Sequence, residues 1–470
     1  MPSPNERASR LGHVSTVQNA MIETAMTRWV TPAVEKGTPE AVSTRCVAVQ
    51  DLPGPTRTPP AYVVAFDGSD QEIQARAQYP SIRVGFIQIT GVFVNINQFL
   101  NSRVDGLVDP RRLIAARDAQ TIQAALPGSN VAIQGFSGVD SWRAELYNMF
   151  SSQGTRDFSA DLFSLTEALM HLYGRHGEPA KTIKLGRCPT CKDTTQTVQV
   201  KPTACTACAS ALYPTDVLRT HEEYNPDGSN DKILTRTMNV AERLLMLIYM
   251  GGLSRYKPQV AASGMFITDG PLAFHGPTAP LKRRMVGYWG EVCSAQEQAG
   301  CAPPLLVGVE KKGVFVDHAA SIAEFIPQRH VMMLDNIYIH DKIQRSSNND
   351  IYGHDEFYGR RFLYKTSTDQ MIVLTVPRVP AGQPYEAAQP DGTNPCEDFA
   401  SYPTLRSTVE QLDRLQTRLY PNAIIPVALA HSEASLPLGT GRSVLTLLAQ
   451  HHLGLEQNTK GLLGQHSPFQ

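Results

Sequence analysis

Two closely spaced cysteine pairs constrain the fold of this chain more than any other local feature. Cys188-Pro-Thr-Cys191 and Cys205-Thr-Ala-Cys208 form a CxxC–x13–CxxC array. Each CxxC makes a tight knuckle that presents two thiolates, and two knuckles close a tetrahedron around Zn²⁺. Four thiolates leave no open coordination position, so such a site is structural rather than catalytic. Cys46, Cys293, Cys301 and Cys396 lack this spacing and read as core or free thiols. Eight cysteines, unevenly placed in 470 residues, do not make a disulfide scaffold. The array predicts a zinc-ribbon insert over residues 179–231 of a larger protein from a reducing, cytoplasmic compartment.

Around that insert, short apolar runs alternate with helical periodicity, which predicts an α/β protein. Strands are expected at 61–66, at 82–97 (one or two), at 264–269 and at 304–309, with two more within 361–378. Helices are expected at 14–35, 111–125, 158–174, 239–251 and 441–453. A further apolar run at 423–429 reads as strand-like, and the last 16 residues as loose. No clean linker divides the rest. The expected organisation is an N-terminal helical segment (1–60), a core in two pieces (61–178 and 232–445), the insert, and a tail (446–470).

Composition is that of an ordinary globular protein, 42% hydrophobic and 19% charged, with a formal net charge of -1. No global basic field attracts nucleic acid, so any such contact must come from local clusters. Arg111-Arg112, Lys282-Arg283-Arg284, Lys311-Lys312 and Arg360-Arg361 are the candidates, though charge runs are usually solvated surface. The opening MPSPNERASRLGHVS is polar and no apolar core of a signal peptide follows it. No run approaches the ~18 apolar residues of a membrane span, so no membrane partner is expected.

Asp67 and Asp269 share a context, an apolar run followed by Asp-Gly. In α/β sheets ligands gather at the carboxyl ends of strands. Carboxylates on two such ends are suited to hold Mg²⁺ or Mn²⁺, which take oxygen ligands and leave room for phosphate and water. Asp-Gly is equally an ordinary turn after a strand, and the pattern alone does not separate the two readings. Glu242, beside Arg243 near a helix start, and the lone His431 each have a structural explanation as well.

Taken in order, FDGSD, AERLLMLIYM, ITDGPLAFHG, LLVGVEKK, FLYKTSTDQMIVLTVPR and YPNAIIPVALAHSEASL resemble the NurA family of nucleases. The resemblance spans most of residues 60–445 apart from the cysteine insert, which is not part of the family pattern. It implies a ribonuclease H-like mixed-sheet core flanked by helices. It also implies a homodimer that hydrolyses DNA phosphodiesters with a divalent metal, typically Mn²⁺, beside a HerA-like hexameric DNA-translocating ATPase. The role stays open between DNA end processing in repair and antiviral defence. By the same resemblance Asp67, Glu242 and Asp269 are the metal-binding carboxylates, and His431, Lys311 and Tyr420 complete the catalytic set. Lys312 competes with Lys311, and Glu222, Glu223 and Glu167 compete with Glu242. The rival expectation is a non-catalytic scaffold whose zinc ribbon binds nucleic acid or recruits a partner. An actin-like or sugar-kinase ATPase is disfavoured because no glycine-rich phosphate loop accompanies the Asp-Gly turns.

Overall fold

The computed structural model describes residues 18–29, 39–55, 57–76, 79–101, 103–104, 107–108, 117–152, 164–344, 351–390, 392–416, 424–436 and 440–453. The chain forms two compact units, Met1–Thr38 and Pro39–Gln470. In the first, the helix expected over 14–35 occupies Ala20–Met26 (α1), with the Asn19 side chain capping it through Met21 N–H at 3.0 Å. Residues 14–17 and 30–35 lie outside the described residues.

The second unit is built on a nine-stranded mixed sheet. Its strands are β1 (Cys46–Ala48), β2 (Tyr62–Gln74), β3 (Arg83–Asn95), β4 (Arg117–Pro127), β5 (Gly264–Asp269), β6 (Leu305–Glu310), β7 (His330–Met333), β8 (Arg360–Lys365) and β9 (Met371–Val376). They lie in the order β1-β7-β8-β9-β6-β5-β2-β3-β4. The meander β2-β3-β4 is antiparallel, β5 and β6 run parallel to β2, and all remaining pairs are antiparallel.

Helices cover both faces. They are α2 (Gly138–Ser151), α3 (Leu165–Leu172), α4 (Asp231–Tyr256), α5 (Leu281–Gln298), α6 (Leu405–Leu415), α7 (Ile425–Ala434) and α8 (Thr440–His452). Side chains alternate across a strand, and β2 shows the consequence. Tyr62, Val64 and Phe66 join Leu244 and Leu245 of α4 in one core, while Val63 and Ala65 join Leu412 of α6 and Val427 and Ala430 of α7 in the other. Each such fully buried Leu or Phe contributes about 1.5–3 kcal/mol relative to exposure. Among the described residues no helix is long and apolar enough to cross a membrane.

Three expectations needed correction. Residues 117–125 of the stretch read as a helix are strand β4, paired with β3 from Arg117 to Pro127. Its Ala, Gln and Arg content favours a helix, but Ile122 and Leu126, four apart on one strand face, enter the core under the α4 layer. The apolar run at 423–429 leads into helix α7, where Pro426 occupies the first turn and Val427, Ala430 and Ala434 recur at helical spacing. Strand β2 does not stop at Asp67 but continues to Gln74. Gly68 therefore makes no turn: a Cβ there would come within 2.6 Å of Met238 on α4, so glycine allows the helix to approach. Gly270, after Asp269, does have the left-handed φ of +87° that ends a strand.

The Arg360-Arg361 cluster proves internal, as does Lys282, whereas Arg283 and Arg284 are exposed. Arg360 is fully buried, and Arg361 forms a two-pronged ion pair with Glu310 at 2.6 and 3.1 Å beneath Phe315 and Phe357. Lys282 is buried and donates to His354 O. Arg111 and Arg112 lie outside the described residues.

Candidate metal centre

Strand parity brings the two aspartates together. Asp67 follows Val63 and Ala65 on the α7 face of β2, and Asp269 follows Met265 and Ile267 on the same face of β5. The parallel register sets Thr268 opposite Phe66, so both carboxylates emerge where the β2–β5 pairing ends. From the covering helix, His431 stands one turn after Val427 and turns Nδ1 to Asp67 Oδ2 at 2.9 Å. Ligand atoms of Asp67, Asp269 and His431 all lie within 4.8 Å of one another.

Helix α7 is tied down beside this cluster. Ser69 donates to Ala434 O and accepts from Leu436 N–H at 2.9 Å, and Gln88, opposite Ser69 on β3, donates to Glu433 O at 2.5 Å. These polar residues, on the strand face shared with Asp67, are not identified by sequence reading. A hydroxyl two residues after Asp67 is the only local signal.

The electrostatics of the cluster favour a cation. Burial pushes the Asp67 carboxyl above its ordinary value and the Asp269 charge pushes it the same way, while Lys311, His431 and the Gly68 N–H pull it back. Two carboxylates this close repel unless a cation lies between or beside them. Lys311, just past β6, partly serves that purpose, with its ammonium 2.8 Å from Asp269 Oδ2. Lys312 is exposed and stands outside this contact. The set of two carboxylates, an imidazole and an adjoining ammonium fits a hard or borderline divalent cation.

Glu242 enters from the opposite layer, on α4, and is not one of the three clustered donors. It is 1% exposed and pairs with Arg243 Nη1 at 2.5 Å. Burial, joined by the charges of Asp67 and Asp269, raises its carboxyl to about 8 against the pull of Arg243, which places it within electrostatic reach of both aspartates. Arg243 also donates to Pro271 O at 3.0 Å, linking Glu242 to the turn after Asp269. The rival glutamates are engaged elsewhere: Glu222 with Arg219 and Arg187, Glu223 with Lys232 and Arg236, and Glu167 in the capping box of α3. Tyr420 lies outside the described residues.

The four cysteines make a second, separate cluster. Their sulfurs all lie within 4.8 Å of one another, with Cys188–Cys208 at 3.9 Å and Cys191–Cys205 at 3.7 Å. Those separations are far from the ~2.05 Å of a disulfide. They match the edge of about 3.8 Å expected for a tetrahedron with metal–sulfur bonds near 2.3 Å. The two knuckles share one geometry. Lys192 N–H bonds Cys188 O at 3.0 Å and Ala209 N–H bonds Cys205 O at 2.9 Å, and both residues take a left-handed φ, +68° and +59°. Cys188 and Cys205 belong to the main core cluster, so the insert is packed onto the domain.

No family model and no curated protein matches the chain. Among solved structures, a crystal structure of NurA aligns over 96% of this chain and 99% of its own at 11% identity, with a TM-score of 0.21. A crystal structure of NurA with manganese aligns over 95% and 96% at 11% identity, with a TM-score of 0.19. At such scores neither alignment supports an argument about this chain, and the chemistry rests on the residues described above.

Proposed function

We propose that the chain is a metal-dependent deoxyribonuclease of the NurA type, using Mn²⁺ or Mg²⁺ held by Asp67, Asp269 and His431. One observation carries the proposal: two carboxylates on neighbouring parallel strands, with an imidazole within ligand reach of both. The strand order supports a ribonuclease H-like core. An antiparallel meander β4-β3-β2 continues into parallel β5 and β6, with α4 preceding β5 and α5 joining β5 to β6.

Bound there, a divalent cation supplies polarisation of the phosphodiester and a lowered pKa for the attacking water. The chain does the positioning. Asp67 orients the His431 ring through Nδ1, which fixes its tautomer. Lys311 can exchange Asp269 for a phosphate oxygen and stabilise charge that develops there. Glu242, locked to Arg243 and through it to the turn after Asp269, braces the layer beneath the two aspartates. A Zn²⁺ ion in the cysteine cluster would hold the insert without touching this chemistry. Action as a homodimer beside a HerA-like hexameric ATPase, in end processing or antiviral defence, rests on the motif resemblance alone.

The experiment is a Mn²⁺-dependent cleavage assay on linear duplex DNA. Asp67→Ala and Asp269→Ala proteins should lose cleavage while keeping their circular dichroism spectrum. Unchanged cleavage in both rejects the proposal.

A further inference from the structure

The cysteine insert concentrates positive charge in a chain that has none to spare overall. Residues 181–201 carry five cations, Lys181, Lys184, Arg187, Lys192 and Lys201, against the single carboxylate Asp193, whereas the whole chain has 43 basic and 44 acidic residues. All five cations are exposed. Asp193 offsets at most one of them, and its carboxylate is held by Thr195 N–H at 2.8 Å and Thr195 Oγ1 at 2.7 Å. Arg187 reaches Glu222 at 3.3 Å, and Lys192 donates to a backbone carbonyl, Pro189 O, at 2.5 Å. Lys181, Lys184 and Lys201 have no acidic partner among the described residues.

The surface that carries them is anchored to the core. In the hairpin Ile183–Lys184 with Thr197–Val198, Ile183 and Val198 point into the core while Lys184 and Thr197 face out. Beneath it, Arg143 of α2 grips Asp216 through two hydrogen bonds of 2.8 Å, with both side chains buried, and also bonds Ala211 O at 2.7 Å. Lys184 on the hairpin, with Lys181 just before it and Lys201 just after, forms a surface suited to a polyanion, since a bound polyanion removes the mutual repulsion of such cations. Duplex DNA presents one charge per about 1.7 Å of its axis. We infer that the exposed face of the cysteine hairpin, through Lys181, Lys184 and Lys201, binds the phosphate backbone of DNA. Choosing DNA as the polyanion rests on the nuclease reading.

The test uses the full-length protein without added divalent cations, so that binding is read apart from cleavage. Fluorescence anisotropy with a labelled DNA duplex is measured over a KCl series. A Lys181→Glu, Lys184→Glu, Lys201→Glu protein should bind at least about tenfold more weakly, and its log–log salt slope should fall by about 2 to 3, near 0.9 per lost phosphate contact. The matching Lys→Gln protein should fall between this variant and the wild type. Equal affinity and slope in all three proteins overturn the inference. So does lysine-dependent binding to anionic lipid vesicles without lysine-dependent binding to DNA. Lysine-dependent DNA binding by a protein that never cleaves DNA in Mn²⁺ supports the surface and removes only the nuclease reading.

Discussion

Lys311 rests its ammonium 2.8 Å from Asp269 Oδ2, so a side chain already occupies part of the space where a cation would neutralise the aspartates. The ammonium must therefore compete with a metal, and its removal has two opposite effects. Lys311→Gln should bind Mn²⁺ up to roughly fivefold more tightly, since a partly exposed ion pair is worth about 1 kcal/mol. Cleavage at saturating Mn²⁺ should fall about 100-fold, the usual cost of losing a donor to the developing charge. Isothermal titration and single-turnover kinetics read the two separately. Equal Mn²⁺ affinity in both proteins would show that the ammonium does not compete.

Asp67 trades stability for its position. Burial and the Asp269 charge raise its carboxyl above the ordinary value, so the folded protein holds that proton more strongly than the unfolded chain does. Stability from this group is greatest below the ordinary aspartate value near 4 and is lost as pH rises through the raised one. Asp67→Asn keeps an acceptor for the Gly68 N–H and removes the charge. Without divalent cations it should melt above the wild type at neutral pH, and the difference should shrink as pH approaches 4. A Tm difference that does not change with pH contradicts this account.

Metal binding favours the charged carboxylates, so wild-type protein should release protons as Mn²⁺ enters and bind it more tightly as pH rises. Calorimetry in buffers of differing ionisation enthalpy measures the protons released. No buffer dependence would mean that the donors were already ionised.

How much of this was legible in the chain depended on sequence distance. The cysteine knuckles are local, so spacing alone was enough to predict a four-sulfur cluster. The strand before Asp269 ends at a glycine of positive φ, as its sequence suggests. The same Asp-Gly pair at Asp67 has a different cause, close packing of Met238 against mid-strand Gly68, which cannot be seen without knowing where α4 lies. His431 meets Asp67 across 364 residues of chain, and residues 117–125 became a strand only because β3 offered a partner. Arg243 left a mark, a charge inside an apolar helix, but its link to Pro271 is a tertiary fact.

Glu242 and Arg243 form a pair in which both side chains are buried. Removing one partner strands the other, so Arg243→Leu should cost about 3–5 kcal/mol in denaturant unfolding at alkaline pH, where the carboxyl is charged. The loss should lessen as pH falls through about 8, because the stranded carboxyl takes up a proton, and change little below that. The double variant Glu242→Leu, Arg243→Met should recover much of the loss, since apolar replacement of a buried ion pair is often neutral or better. A double variant no more stable than the single one would mean that the arginine acts chiefly through Pro271.

The cysteine cluster should hold its metal independently of the carboxylates. Purified protein should contain one tightly bound zinc per chain, and a cobalt-substituted form should show the absorption of tetrahedral thiolate coordination. Asp67→Asn should keep that metal, whereas Cys208→Ser, at an exposed thiol, should lower its content and the melting temperature together. Thermal loss is expected because Cys188 and Cys205 sit in the main core cluster, where a bound metal would join the insert to the domain. Acidification should release the ion, since its thiolate ligands must stay deprotonated. Metal content unchanged in Cys208→Ser, or lost in Asp67→Asn, would show that the two sites are not separate.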